Sequence, residues 1–314
     1  MSNYAVVTYY PSGIPVPSKY IIWGEVVLND DASPPSPSDF KMIWSGREVE
    51  FKKTESNKSV KYKRKEGTFI IPDSIQKIDG IKWYCIRVYE DGSMGNVKFI
   101  EETPVKIYVI LKNPRKPQKK PRTDVLDIAC EIVEGCNNEG DIKDNMVPNL
   151  WNWLVDNNYT YDGTTSHVYW KSFRPYTSNY EFRISKFIAE GDGDCEDTAA
   201  LYDISNNALG VLMRTRVIKH KRKHVNFVTN NIRAYNETNP FENPNIEYWS
   251  HTFNVHMVAC NKRGTKIWDP TLKFESLPNF AICMNKNDYR NKLIVPKDLN
   301  NVEWIKVVKC DIIK

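Results

Sequence analysis

The sequence predicts an α+β protein in two parts: a β-sandwich over residues 1–111 and a mixed helix-and-sheet domain over 123–314. Three observations point there. Up to residue 111, short β-branched and aromatic runs alternate with turn-rich pieces, and no helix intervenes. Residues 112–122, KNPRKPQKKPR, have the composition of a linker. Beyond them the apolar period becomes helical, and helices then mix with strands. A length of 314 residues also suggests two domains, at roughly 100–200 residues each.

Composition narrows the class. Hydrophobic residues are 41% and charged residues 26%, which is globular and argues against a wholly disordered chain. Mean hydropathy is -0.54, and no run approaches the roughly 18 apolar residues of a membrane helix. The start, MSNYAVVTYYPSG, has no basic segment followed by an apolar one, so no signal peptide is expected in this chain. The compartment is left open, with the cytoplasm as the default. Seven cysteines cannot all pair within one chain, so at least one thiol is free or pairs elsewhere.

The first part reads as strands in SKYIIWGEVVLND, FKMIWSGREVEF, GTFIIP, KWYCIRVYE and PVKIYVIL. The pieces DDASPPSPSD, ESNKS, Asp79–Gly80 and DGSMG read as turns. Short strands in succession are the pattern of a sandwich. The stretch Asp79–Cys85 resembles an immunoglobulin F strand, but Trp83 stands where that strand carries Tyr. No cysteine precedes Cys85, so the inter-sheet disulfide of antibody domains cannot form.

The linker over 112–122 has three prolines, which forbid a stable helix and favour extended geometry. Its six basic residues and lack of acid suit either a stiff solvated spacer or an arm for an anionic surface. Next, TDVLDIACEIVEGC predicts a helix with Thr123 or Asp124 as N-cap and Gly135 as its stop. DNMVPNLWNWLVDNNYTY predicts a second helix ending near Asn157–Asn158, with Trp151, Trp153 and Leu154 in the core.

The segment EGDGDCEDTAALYDISNNALG carries the chemistry. Glycines end one segment, Asp194 can cap the next, and Gly210 can stop it. Cys195 then sits in the first turn of a helix, where the dipole and free N–H groups favour a thiolate and can hold an oxyanion. Glu196 and Asp197 oppose that thiolate, so an imidazolium nearby is needed to offset them. Five histidines are available: His167, His220, His224, His251 and His256. FNVHMVACNKRGTKIWDPT reads as strand, turn, strand. With Asn261 facing Gly264, His256 faces Asp269 directly, and a carboxylate orients an imidazole. In the same register His251 faces Phe274 and gains nothing. Cysteine on a helix start with His and Asp on paired strands is a set for nucleophilic acyl transfer. Cys195 would attack, His256 would move the proton and Asp269 would fix the ring.

These two segments resemble the transglutaminase-like superfamily of cysteine proteases. GDCEDTAALYDISNNALGVLMRTRVI is similar to its nucleophile helix and following strand, and HMVACNKRGTKIWDPT to its His and Asp-Pro-Thr signature. The resemblance covers about residues 123–275. It implies a papain-like fold, with helices packed on an antiparallel sheet, and Cys195, His256 and Asp269 as nucleophile, base and orienting acid. It also implies an upstream group completing the oxyanion hole, for which Trp170 and Tyr169 are candidates, with Asp194 a second substrate-side residue. Met257 and Val258 follow the His where many members carry an aromatic residue.

The expected activity is peptide or amide hydrolysis through a thioester, on a protein or peptide substrate, with no metal and no cofactor. Protein-glutamine transamidation or deamidation uses the same triad. A non-catalytic assembly protein keeping the fold is the alternative from another class. The N-terminal part would recognise a protein partner or substrate. KHKRKH at 219–224 reads as a solvated turn or a basic rim; its crowded cations disfavour a metal at His220 and His224. Cys130 and Cys136 could pair, while Cys85, Cys260, Cys283 and Cys310 read as core thiols. The tail predicts a strand with Trp304, Ile305, Val307 and Val308. The net charge of +5 is local: residues 112–122 and 219–224 hold ten Lys/Arg and no acid, so the remainder is at -5, ten lower. That disfavours a general nucleic-acid binder, and the hydropathy disfavours a membrane partner.

Overall fold

The computed structural model describes residues 19–26, 74–88, 98–115, 122–162, 170–172, 180–237, 240, 245–277, 279–305 and 310–313. Its contacts divide the chain into two units. One comprises residues 1–73 and 77–109, the other 74–76 and 110–314.

The first unit holds β1 (Lys19–Val26), β2 (Gln76–Val88) and β3 (Lys98–Val109) in one sheet of order β1-β2-β3. β1 runs antiparallel to β2, with Ile22 opposite Cys85 and Val26 opposite Ile81. The expected turn at Asp79–Gly80 is instead part of β2. These residues lie past the end of β1, so the strand continues without reversing. The strands expected at 40–51 and 67–72, and with them the second layer of a sandwich, fall outside the described residues.

The second unit is mixed helix and sheet. It opens with α1 (Thr123–Ile132) and α2 (Glu139–Asp156). α1 starts one residue before the expected cap: Arg122 is the N-cap, while Asp124 lends its carboxylate to Val125 N at 3.0 Å. Gly135, at φ +81°, ends the turn after it. α2 starts earlier than its apolar pattern suggests, because Asn138 accepts from Asp141 N and caps it. Short strands β4 (Thr160–Tyr161), β5 (Trp170–Ser172) and β6 (Tyr180–Phe182) follow, then α3 (Ile184–Glu190), β7 (Asp192–Gly193) and α4 (Cys195–Ala208).

The remaining chain is mostly sheet. It runs β8 (Arg214–His220), β9 (Phe227–Ala234), β10 (Trp249–Phe253), β11 (Val255–Cys260), β12 (Lys266–Trp268) and β13 (Leu272–Phe274). Then come β14 (Asn279–Phe280), β15 (Met284–Asn285), α5 (Lys286–Leu293), a 3₁₀ turn at Leu299–Asn301, β16 (Val302–Trp304) and β17 (Cys310–Ile313). Two sheets dominate, of orders β15-β12-β11-β8-β16 and β10-β9-β13-β14. Strands pair antiparallel in both, and β17 pairs in parallel with β6 beside β5. Lys221–Asn226, including most of the basic turn, is exposed.

The core of this unit is α4. Its residues from Asp197 to Ala208 are buried on every side, which accounts for its weak amphipathic pattern. It packs chiefly on β11 and α1. The linker residues 112–115 do more than span. Lys112 N donates to Leu209 O at 3.2 Å, Arg115 N to Asn207 O at 2.8 Å and Arg115 Nε to Gly210 O at 2.9 Å. They satisfy carbonyls that the end of α4 leaves open. Gly210, at φ +90°, has no room for a side chain there, since a Cβ would lie 2.5 Å from Lys112 O.

Candidate active site

Local chemistry fixes the start of α4. Gly191, at φ +70°, closes α3, and Asp194 caps α4. One carboxylate oxygen of Asp194 accepts from Glu196 N at 2.7 Å and Asp197 N at 3.1 Å. Asp197 in turn accepts from Asp194 N at 3.2 Å, which makes a capping box. Gly193 must stay small, because a Cβ would meet the Phe187 ring at 2.6 Å. Cys195 is thereby the first residue of a buried helix and is itself buried.

The cap narrows the oxyanion expectation. Thr198 N bonds Asp194 O, while Glu196 N and Asp197 N are spent on the Asp194 carboxylate. Of the four first-turn N–H groups, that of Cys195 is left for an oxyanion.

His256 comes from β11, in the middle of the five-stranded sheet. It is fully buried, paired across the sheet with Ile218. The turn after β11 is longer than the sequence suggests. Asn261 N donates to Lys266 O, and Cys260 faces Ile267 rather than Thr265. Asn261 Oδ1 accepts from Thr265 N at 2.9 Å and Lys266 N at 3.3 Å, stabilising a four-residue loop closed by Gly264 at φ +66°. The predicted register is therefore wrong by two residues, and Asp269 does not face His256 directly. A two-residue shift preserves the side-chain face. The pair still forms, with His256 Nε2 3.0 Å from Asp269 Oδ2.

Asp269 is held on three sides. Its Oδ1 accepts from Thr271 N at 2.9 Å, the Asx turn that Asp-Pro-Thr favours. Its Oδ2 meets His256 and also Tyr289, whose hydroxyl donates to it at 2.6 Å. Tyr289 lies on α5, fully buried, and its oxygen is also 3.0 Å from His256 Nε2. Nε2 thus faces two oxygens, while Nδ1 is buried with no hydrogen-bond partner. The sulfur of Cys195 lies 4.0 Å from Val255 O, and the Met257 N–H points its charge toward the sulfur. Cys195 therefore sits against the β11 backbone on both sides of His256.

The electrostatics oppose a resting thiolate. Burial pushes the Cys195 thiol well up, Asp194 and Glu196 push the same way, and the Met257 N–H pulls against them. Glu196 is pushed up to about 8, by burial first and by Asp194 second. Asp197 also rises for those reasons. Burial and the charge of Asp269 raise the Tyr289 hydroxyl, which keeps it a donor.

Other expectations fare differently. Asp194 is a helix cap. Trp170 lies on β5 opposite Phe182, but its side chain, like all of Tyr169 and His167, lies outside the described residues. His251 does not face Phe274, which pairs with Ile232 and Asn279. It gains a carboxylate instead, with Nε2 2.6 Å from Glu237 Oε1. Cys130 and Cys136 are not joined by a disulfide, and Cys260 is a core thiol as expected. Cys283 is exposed, because it sits at φ +50° in the turn before β15. Sequence reasoning missed Tyr289, along with Tyr161 and Tyr235 beside α4. Tyr161 pairs with Gly193 along the chain, and its ring meets Tyr235 edge-on. Tyr235 accepts from Thr198 Oγ1 at 3.1 Å. No group of residues able to hold a metal ion occurs among those described. No described helix is long and apolar enough to cross a membrane.

No protein-family model matches the chain, and no curated protein matches it.

Proposed function

We propose that the chain is a cysteine-dependent acyl-transfer enzyme, with hydrolysis of peptide or amide bonds through a thioester on Cys195 as its reaction. The observation that carries this reading is the state of the His256 ring. Nε2 is committed to Asp269 and Tyr289, whereas Nδ1 is buried and unpartnered, on a residue whose two chain neighbours, Val255 and Met257, face the Cys195 sulfur. A nitrogen left without a partner in a core is costly unless it has work to do.

The thiol starts protonated, so the proton leaves as the sulfur attacks. Nδ1 takes the hydrogen from sulfur while the S–C bond forms, and the carbonyl oxygen becomes an oxyanion against Cys195 N–H. Collapse expels the amine, which carries away the proton from Nδ1. Water then attacks the thioester, giving a proton to Nδ1. That proton returns to sulfur as the acid leaves. An amine in place of water gives transamidation. We further read the second unit as a papain-like domain of the transglutaminase type. The supporting feature is a buried helix led by cysteine, packed on an antiparallel sheet that carries the His. The first unit would recognise a protein partner or the substrate.

Cys195→Ala is expected to abolish covalent labelling by a thiol-directed acylating probe, with the modified residue mapped by mass so that exposed Cys283 is scored separately. Equal labelling of parent and variant, on one other thiol, refutes the assignment. A labelled primary amine offered with a Gln-rich protein separates transamidation from hydrolysis.

A non-catalytic protein retaining this constellation is the second reading. The burial of Cys195 favours it, since a sealed sulfur among carboxylates is a poor nucleophile. Labelling discriminates. A Cys195 thiol that takes no acylating probe while the folded protein is intact supports the inert reading.

A further inference from the structure

We propose that Tyr289 is a positioning residue that locks His256 in the form protonated on Nε2 and weakens its hold on a second proton at Nδ1. The inference rests on the acyl-transfer reading for its purpose, though its geometry stands alone.

Three contacts form a closed triangle: Nε2 to Asp269 Oδ2 at 3.0 Å, Nε2 to Tyr289 Oη at 3.0 Å, and Oη to Oδ2 at 2.6 Å. A phenol has one hydrogen, and the shortest edge assigns it to the carboxylate. The Tyr289 oxygen is then an acceptor toward the ring, as is Oδ2. Nε2 must carry hydrogen, because the opposite tautomer would set its lone pair against two oxygens. The neutral ring therefore leaves Nδ1 bare, and Nδ1 is the nitrogen that can receive the Cys195 proton. Asp269 alone orients the ring through one contact, whereas Tyr289 adds a second from another element, α5. The Tyr289 ring is held in turn by Phe274 and Trp304, with centroids 5.8 and 6.2 Å away.

The hydroxyl also sets the basicity of the ring. Its hydrogen is committed to Oδ2 rather than to the ring. The influence goes through Asp269, where a donor at 2.6 Å draws charge from the oxygen that holds Nε2–H. Without it Oδ2 grips an imidazolium harder. Other ionisable groups around the Asp269–Tyr289 pair and Cys195 keep their places in the test below. They are Cys195 with Asp194 and Glu196 on α4, and Tyr161 on β4. Ile218 across the sheet and Phe253 stacked on the ring carry no charge.

Tyr289→Phe keeps the ring and removes the hydroxyl. The pH profile of Cys195 labelling is expected to keep its shape, with its acid limb moved up by roughly half to one unit. On that limb labelling slows roughly 3- to 10-fold, within the scale of one ordinary hydrogen bond. A limb that stays in place or moves down overturns the inference, and a merely structural role would lower the whole profile without moving it. A second measurement needs no activity. In Cys195→Ala protein, imidazole ¹⁵N shifts of His256 are expected to report the Nε2–H form, with a protonation midpoint that rises when Tyr289→Phe is added. An Nδ1–H ring, or an unmoved midpoint, overturns the inference even if the double variant proves hard to handle. A parent protein that never labels, yet gives these ring shifts, refutes the acyl-transfer reading and leaves the role of Tyr289 standing.

Discussion

Among the described residues two histidines meet carboxylates, and they differ in whether a ring nitrogen is left over. His256 on β11 shares Nε2 between Asp269 and Tyr289 and keeps Nδ1 bare in a fully buried site. His251 on β10 has both nitrogens engaged, Nε2 with Glu237 at 2.6 Å and Nδ1 with Trp249 O at 3.0 Å. It is a strut that ties the strand to the segment after β9. The rings even share a stack, with His251 on Phe253 at 5.7 Å and Phe253 on His256 at 5.3 Å. A carboxylate partner alone therefore identifies nothing. The unfilled second nitrogen, on the strand that the Cys195 sulfur touches, is the distinguishing mark.

The largest effect should come from removing that nitrogen. His256→Ala is expected to slow Cys195 labelling at neutral pH by roughly 10²- to 10⁴-fold, the usual worth of a positioned base. The measurement is second-order labelling kinetics at pH 7 with the label mapped to Cys195. A rate within twofold of the parent would break the comparison, because His256 would then be as idle as His251.

The mirror substitution should have its effect elsewhere. His251→Ala is expected to leave the labelling rate within about twofold while lowering stability by about 1–3 kcal/mol, as a buried partner is stranded. Denaturant unfolding reads the second quantity and labelling the first. A slowdown comparable to that of His256→Ala at unchanged stability would mean the stacked rings act as one unit.

How much of this was legible follows from the range of the interactions. The start of α4 was readable because its determinants are local: Asp194 caps, Gly191 adopts φ > 0 and Asp197 answers three residues later. Asp269 was reached through a register two residues out, and it still meets His256 because a two-residue shift keeps the side-chain face. The hairpin register itself was not readable, since Asn-Lys-Arg-Gly suggests a two-residue turn and the extra bonds of the Asn261 side chain only appear once the loop closes. Tyr289 was invisible, because it reaches Asp269 from a helix twenty residues on with no spacing rule joining them. Glu237 was missed for a similar reason, since it lies fourteen residues from His251 with no spacing rule joining them.

The comparison extends from imidazoles to carboxylates, where the smallest effect is expected. Glu237 faces a ring nitrogen, whereas the charges acting on Glu196 are those of Asp194, and burial adds to the cost of ionising it. The Glu196 carboxyl is pushed up to about 8 in the folded protein. Unfolded, it returns to about 4.3. The folded state therefore binds the extra proton between those two values. Its contribution to stability is full below the lower value and is lost as pH rises through the upper one. Glu196→Gln cannot ionise, so its stability should fall less steeply than the parent's from pH 5 to 8. The gap at pH 8 should be on the order of 1 kcal/mol, reduced because part of Glu196 remains in contact with solvent. Denaturant unfolding at pH 5, 6.5 and 8 gives both slopes, and parallel curves would refute the claim. The same substitution removes one of the charges that raise the Cys195 thiol, so labelling at pH 8 should quicken. If stability flattens but labelling does not quicken, the Glu196 charge does not govern the sulfur. Burial and Asp194, which rank ahead of it, would then set the thiol on their own.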